Sequence, residues 1–413
     1  MHQDEVFDIA ICGAGLNGLA AALAFGGPGN RTPLKVALVD QRDPALATQA
    51  GFDGRASAIT QAARRMFEAM GVWDAIAPHA EPMREIMVTD GKTDGPRPAL
   101  LNFGVEHQPS GPSAYMVENR HLLAALYEAV RAAAQITFKT GHKVERFSFT
   151  GPQAELHLTS GKIVAARLCV AADGRHSQAR QAAGIETIGW AYGQSGIVTT
   201  VSHDGPHGGR AEEHFLPSGP FAILPLPGNL SSLVWTENQL EADRLMALDD
   251  EAFLAELKRR FGAHLGAVRL AAPRQAWPLG LFIAKSLTAP RLALLGDAAH
   301  VVHPIAGLGF NLGLRDAAAL ADAVMGQFRL GLDPGGPQAL QAYERWRRLD
   351  TVMVATATDG LNRLFSNDIE ALRFIRDAGL SVVERIDPLK RFFMREAAGL
   401  SGHLPRLMTG EPA

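Results

Sequence analysis

The sequence predicts a mixed α/β fold, with an antiparallel β-sheet inserted into an α/β domain and a helical region at the C-terminal end. Three observations point there. The chain opens with an apolar strand, a glycine turn, an Ala/Leu-rich helix and a second strand. A central stretch carries short β-like runs separated by turns, and from Ala339 onward the pattern becomes helical. With 413 residues the chain is too long for one simple domain, so two closely joined domains or one large α/β unit are expected. Hydrophobic residues make up 47% and charged residues 20%, enough apolar material for a sizeable core. A formal net charge of -3 gives no basic excess for nucleic acid, and no acidic run suggests a disordered tail.

The opening is informative in detail. Val6 to Cys12 reads as a buried strand, Gly13-Ala14-Gly15-Leu16-Asn17-Gly18 as a turn, Leu19 to Ala24 as helix, and Leu34 to Asp40 as a second strand. This is a βαβ unit with the dinucleotide fingerprint of Rossmann-like domains. Gly13 permits the tight turn, Gly15 lets a pyrophosphate approach the backbone, and Gly18 lets helix and strand pack closely. The helix N-terminus offers free N–H groups and partial positive charge to phosphates. Asp40, about twenty residues on, can accept hydrogen bonds from adenosine ribose hydroxyls, and Gln41 and Arg42 join it in the candidate site. The fingerprint alone does not choose between FAD and NAD.

Ile9 to Asn30 carries no charge and is long enough to resemble a membrane span. Its regular glycines and its acidic preceding residues, Asp4 and Glu5, favour the Rossmann opening over a span or signal peptide. The two cysteines, Cys12 and Cys169, sit in separate apolar runs and read as buried core residues, with no disulfide framework or zinc-site spacing.

Two further motifs follow strands. Leu168 to Ala172 leads into Asp173-Gly174, and Arg291 to Leu295 leads into Gly296-Asp297. After the latter come Pro304, Gly307, Leu308, Gly309, Asn311 and Gly313, then a helical run from Leu314 to Met325. Such a loop can lie flat against a planar ring with N–H groups aimed at ring oxygens. The glycine spacing and Pro304 argue against a second Rossmann unit.

These three motifs, in this order, resemble those of the flavoprotein aromatic hydroxylases, the para-hydroxybenzoate hydroxylase-like class. A narrower resemblance covers almost the whole chain: it is similar to the ubiquinone-biosynthesis FAD-dependent hydroxylases. The matching segments include Gly54 to Ile59, Val117 to Arg120, His303 to Gly307, Asn311 to Asp316, Thr358 to Ser366 and Lys390 to Arg395. The resemblance implies FAD as cofactor, with Asp173 near the pyrophosphate and Asp297 on the ribitol chain. It also implies that Arg55 and Arg120 face the phosphate or ribityl side; read without it, each is a solvated helix-end charge. Leu308 departs from the glutamine common at that loop position, which removes a side-chain hydrogen bond and leaves the backbone contacts.

The implied activity is an FAD-dependent monooxygenase that uses NADH or NADPH and O2 to hydroxylate a polyprenylated phenol or quinone precursor through a flavin hydroperoxide. A base beside the phenol would help, but no residue can be named for it; His300 and His303 near the flavin loop read as structural or catalytic. The expected organisation is a discontinuous FAD-binding domain (1–75, 100–184 and 287–331), a substrate-binding sheet domain (76–99 and 185–286) and a C-terminal helical region (332–413). The run Leu389 to Leu407 reads as a helix packed on the core or resting on a membrane surface. The implied location is cytoplasmic, with peripheral contact on the inner face of the membrane as one option. Other ubiquinone-biosynthesis proteins are candidate partners. Two rival readings stay open: a flavin-dependent lipid or isoprenoid oxidoreductase without oxygen insertion, and a non-catalytic FAD-binding subunit.

Overall fold

Hydrophobic strands flanked by glycine turns organise the first layer. The structure, a computed structural model, describes residues 6–30, 32–49, 52–91, 99–104, 111–304, 307–365 and 387–413. Among these, five parallel strands lie side by side in the order Ile136–Thr140, Val36–Asp40, Val6–Cys12, Ile163–Ala171 and Leu292–Leu294. Their burial on both faces explains the near-continuous apolar runs. The register sets Cys12 level with Val39 and Ala171, and Ala171 level with Leu294. The Gly13 turn, Asp40, Asp173 and Gly296 therefore all leave the sheet at one edge. The first strand has the second on one side and Ile163–Ala171 on the other, a reversal of strand order that opens a crevice at that edge.

The helix Leu16–Gly26 is apolar all round and almost wholly buried, as a helix packed on several sides must be. It packs against the helices Asn119–Ala132 and Leu308–Arg329. Cys12 and Cys169 are both buried in this core.

A second sheet runs in the order His300–Val301, Gln275–Ala284, Thr187–His203, Leu230–Asn238, Gly219–Leu226, Arg210–Leu216, Glu85–Asp90 and Ala99–Phe103. It is antiparallel except where Arg210–Leu216 pairs in parallel with Glu85–Asp90. Ala99–Phe103 and His300–Val301 pair in this sheet although they fall at or inside ranges expected for the first unit. One face packs on two helices that the β-like reading of 185–286 does not anticipate, Gln239–Ala247 and Asp250–Phe261. Asn238 and Asp249 cap them by accepting hydrogen bonds from Glu241 N and Ala252 N. The second helix carries acids in its first turn and bases in its last, and stops at Gly262 in the left-handed region (φ 82°). Trp235, Phe221, Phe253, Leu257 and Phe261 form the core between them.

A small sheet, Ala80–Pro82, Ala114–Glu118 and Ala56–Thr60, joins the two layers. The described C-terminal helices are Pro337–Phe365, Asp387–Ala397 and Arg406–Thr409. Ser366, one of the matching residues, lies outside the described residues. No described helix is long and apolar enough to cross a membrane. Where described, the 389–407 run packs inward: Lys390, Met394 and Ala398 are buried, and Met394 sits on Leu101 and Phe103.

Candidate active site

The glycines divide into those that are packed and those that face open space. Gly13 is left-handed (φ 106°), and a Cβ there would stand 2.3 Å from the Ala172 carbonyl oxygen. A Cβ at Gly18 would stand 1.9 Å from the Gly13 oxygen. Nothing lies within 4 Å of a Cβ built on Gly15 or on Gly309. These two open positions sit at the N-terminal ends of the helices Leu16–Gly26 and Leu308–Arg329, which have neither a side-chain cap nor an acid in the first turn. The first-turn N–H groups of both helices are thus left for an acceptor from outside the helix. A phosphate at one and a flavin ring edge at the other suit that geometry.

Asn17 couples the two helices. Its amide is wedged where Gly296 and Gly313 lack side chains: a Cβ on Gly296 would meet Nδ2 at 2.6 Å and one on Gly313 at 2.4 Å. Asn17 Oδ1 is buried without a hydrogen-bond partner among the described residues. Asp40 uses both oxygens on backbone, accepting from Ala14 N at 2.7 Å and Arg42 N at 2.8 Å, so it fixes the glycine turn. Each oxygen keeps a lone pair for a ribose hydroxyl. Gln41 and Arg42 are exposed beside it.

Asp173 caps the helix Gln178–Ala182, accepting from Gln178 N and Ala179 N through Oδ2, while its Oδ1 is buried and unpartnered among the described residues. Buried Arg180 donates to the Ala298 and Arg175 carbonyls and so ties this motif to the Gly296-Asp297 turn. Asp297 is exposed at that turn. Partial desolvation raises its pKa against the pull of His300 and Arg175.

The turn before the second helix is anchored from below. Asp316 accepts from Gly296 N at 3.0 Å, from Arg347 Nε at 2.7 Å, and meets His300 Nε2 at 2.6 Å. Burial works to raise the Asp316 carboxyl, but His300 and Arg347 beside it prevail and hold it below its ordinary range. His300 is therefore a structural partner of this network. Asn311 donates to the Ala58 carbonyl at 2.7 Å and accepts from Thr60 N at 3.1 Å, which pins the flavin-loop helix to the small sheet. Gly307 is left-handed (φ 63°), and its N–H donates to the Pro304 carbonyl. The Leu308 side chain, where the sequence departs from the family pattern, lies outside the described residues.

Arg55 and Arg120 meet at one edge, since Asn119 N donates to the Arg55 carbonyl. Both are half-exposed and paired locally, Arg55 with Asp53 at 2.6 Å and Arg120 with Glu118 at 2.6 Å. Arg55 also borders a cavity of about 620 Å³ beneath the second sheet. Its walls include Met83, Ile86, Leu101, Phe103, Met116 and Leu224, and Val301, Val302, His303, Pro304 and Gly307 close the end nearest the flavin loop. His303 is fully buried, both ring nitrogens lack partners among the described residues, and burial pushes its pKa down to about 4, so it is neutral at pH 7. Glu213 is the residue the sequence reading missed here: its carboxyl faces the same cavity, and burial pushes it up to about 7.

The chain matches the family model described as FAD binding domain over residues 6–356. It is 45% identical to the ubiquinone hydroxylase UbiL of Rhodospirillum rubrum, over 99% of this chain and 94% of that one. The chain belongs to the ubiquinone-biosynthesis FAD-dependent hydroxylases. It is 34% identical to 3-demethoxyubiquinol 3-hydroxylase of Escherichia coli, covering 95% of this chain and 98% of that one. The fold matches the crystal structure of p-nitrophenol 4-monooxygenase PnpA from Pseudomonas putida with a TM-score of 0.78 at 19% identity, over 97% and 99% of the two chains. As a member of this family the chain is an FAD-dependent aromatic hydroxylase, and the two open helix N-termini and the buried, unpartnered Asn17 and Asp173 oxygens fit that cofactor.

Proposed function

We propose that this chain hydroxylates the aromatic ring of a polyprenylated phenol in ubiquinone biosynthesis, with NADH or NADPH as reductant and O2 as co-substrate. The observation that carries the substrate class is the cavity: apolar, about 620 Å³ and bordered by the flavin loop, it suits a ring with a hydrocarbon tail. Gly13, Ala14, Gly15, Leu16, Asn17 and Gly18 would hold the pyrophosphate, and Asp40, Gln41 and Arg42 the adenosine end. Arg55, Arg120, Asp173 and Asp297 would flank the phosphates and ribitol. Pro304, Gly307, Leu308, Gly309 and Asn311 would hold the ring system. Once reduced, bound FAD supplies the activation of oxygen for transfer to carbon. The protein's share is positioning and exclusion of water: the apolar walls keep the reacting ring dry, and neutral His303 and Pro304 shape the cavity beside the flavin loop. We read the chain as a discontinuous nucleotide unit (1–75, 100–184 and 287–331), a substrate sheet unit (76–99 and 185–286) and a helical region (332–413), a division supported by the two main sheets. Peripheral contact with a membrane surface and with other biosynthetic proteins belongs to the same proposal, since a polyprenyl substrate partitions into lipid.

The test is product analysis in a strain that lacks its ubiquinone hydroxylases and is supplied with this chain. Restored ubiquinone, with loss of the unhydroxylated intermediates, is expected. FAD-loaded protein with those intermediates unchanged overturns the quinone assignment.

A further inference from the structure

The strand Arg210–Leu216 carries adjacent glutamates with opposite surroundings. Glu212 meets His214 at 3.1 Å and His264 at 2.9 Å; burial opposes its ionisation, yet the two histidines hold its carboxyl down to about 2. Glu213 has no hydrogen-bond or ion-pair partner among the described residues. Strand register gives its neighbours: Ala222 stands opposite on one side and Val88 on the other. Ala222 faces Val234, Val234 faces Val198, and Val88 faces Leu101. All of these line the cavity. One rung of the sheet floor therefore reads Val198, Val234, Ala222, Glu213, Val88, Leu101, a single carboxyl in a row of aliphatic side chains. On the next rung Thr236 also lines the cavity, and its buried hydroxyl lacks a partner among the described residues. An unpaired carboxyl set in an apolar floor costs stability unless something that enters the cavity completes it.

We propose that Glu213 is the acceptor for the ring hydroxyl of the substrate, and that it both orients the ring and takes its proton. This rests on the phenol reading above. In the step proposed, the phenolic O–H bond breaks, its electron pair stays on oxygen, and the proton passes to the Glu213 carboxylate. The ring becomes electron-rich as a phenolate. When the hydroxylated ring carbon passes its hydrogen as a proton to water and aromaticity returns, the Glu213 proton goes back to the phenolic oxygen. Burial alone raises the Glu213 carboxyl to about 7, close to the working pH of a general base. Among the described residues, the other charged or titratable side chains bordering the cavity are Glu212, already paired, with Arg55 and neutral His303.

The experiment titrates a phenol bearing a short prenyl chain, and its O-methyl ether, into the FAD-loaded protein, following the flavin absorbance. Wild type is expected to hold the phenol at least about tenfold more tightly than the ether, the scale of one hydrogen bond to a charged group. That preference should grow as pH rises through about 7, the value for Glu213. Glu213→Gln and Glu213→Leu should flatten the pH dependence and bring the ratio toward one, with turnover of the phenol falling about a hundredfold. Variants that keep both the phenol preference and its pH dependence overturn the role of Glu213 and leave the phenol reading standing. A wild type that binds neither compound overturns both.

Discussion

At the scale of single residues, the glycines of the fingerprint carry the sharpest expectations. A Gly18→Ala substitution sets a methyl group against the Gly13 carbonyl, where no flexible side chain can give way. The turn must shift, at a cost of about 1–3 kcal/mol, and purified protein should show a reduced ratio of flavin to protein absorbance. Glu213 gives a pH-dependent prediction. Its folded pKa, about 7, lies above the unfolded value, which is near 4.3 for glutamate. The acid form therefore favours folding, a contribution fully present below the unfolded value and lost as pH rises through the folded one. Thermal melts of Glu213→Gln against wild type should show the variant gaining in relative stability between about pH 4 and pH 7. A constant difference would contradict the half-buried placement in the apolar floor. Gly13 and Gly18 were legible in the sequence because spacing alone encodes their contacts. Glu213 was not, because an adjacent Glu-Glu pair on a strand does not say which member faces the cavity.

At the scale of elements, the flavin-loop helix depends on a buried ionic network. Arg347 and His300 both meet Asp316, which in turn holds Gly296 N. Arg347→Met removes a fully buried cation and leaves Asp316 with His300 and Gly296 N as partners. The expected cost is about 3–5 kcal/mol, read as a lower urea midpoint with an unchanged slope. Because Asp316 is held below its ordinary pKa, its contribution is present above the unfolded value and is lost as pH falls through the folded one. The wild type should therefore lose more stability on acidification than Arg347→Met. The helix itself was legible from its apolar run. Its anchor was not, since Arg347 lies 31 residues beyond Asp316 on another helix. The helices Gln239–Ala247 and Asp250–Phe261 were missed although Asn238 and Asp249 offered cap signals. The surrounding β-like runs drew the reading toward strand.

At the scale of the whole molecule, the site is assembled from segments far apart in the chain, so the cofactor should act as a structural tie. A ligand that binds only the folded state adds about 2.7 kcal/mol at a hundredfold excess over its Kd. Protein stripped of FAD should melt at a lower temperature, and the midpoint should climb with added FAD. An unmoved midpoint would mean that the crevice does not close on the cofactor. The gathering of the three motifs at one edge of the first sheet was legible in part, because each follows a separate apolar strand. The cavity was not, because its walls are contributed by the second sheet, the small sheet and the C-terminal helix Asp387–Ala397 together. The wedging of Asn17 between Gly296 and Gly313 also bears on how the protein is made. The glycines that receive the asparagine of the fingerprint are synthesised almost 300 residues after it. A nascent chain halted before Gly313 lacks half of that lock, so chains truncated there are expected to stay colourless however well their first strands have folded.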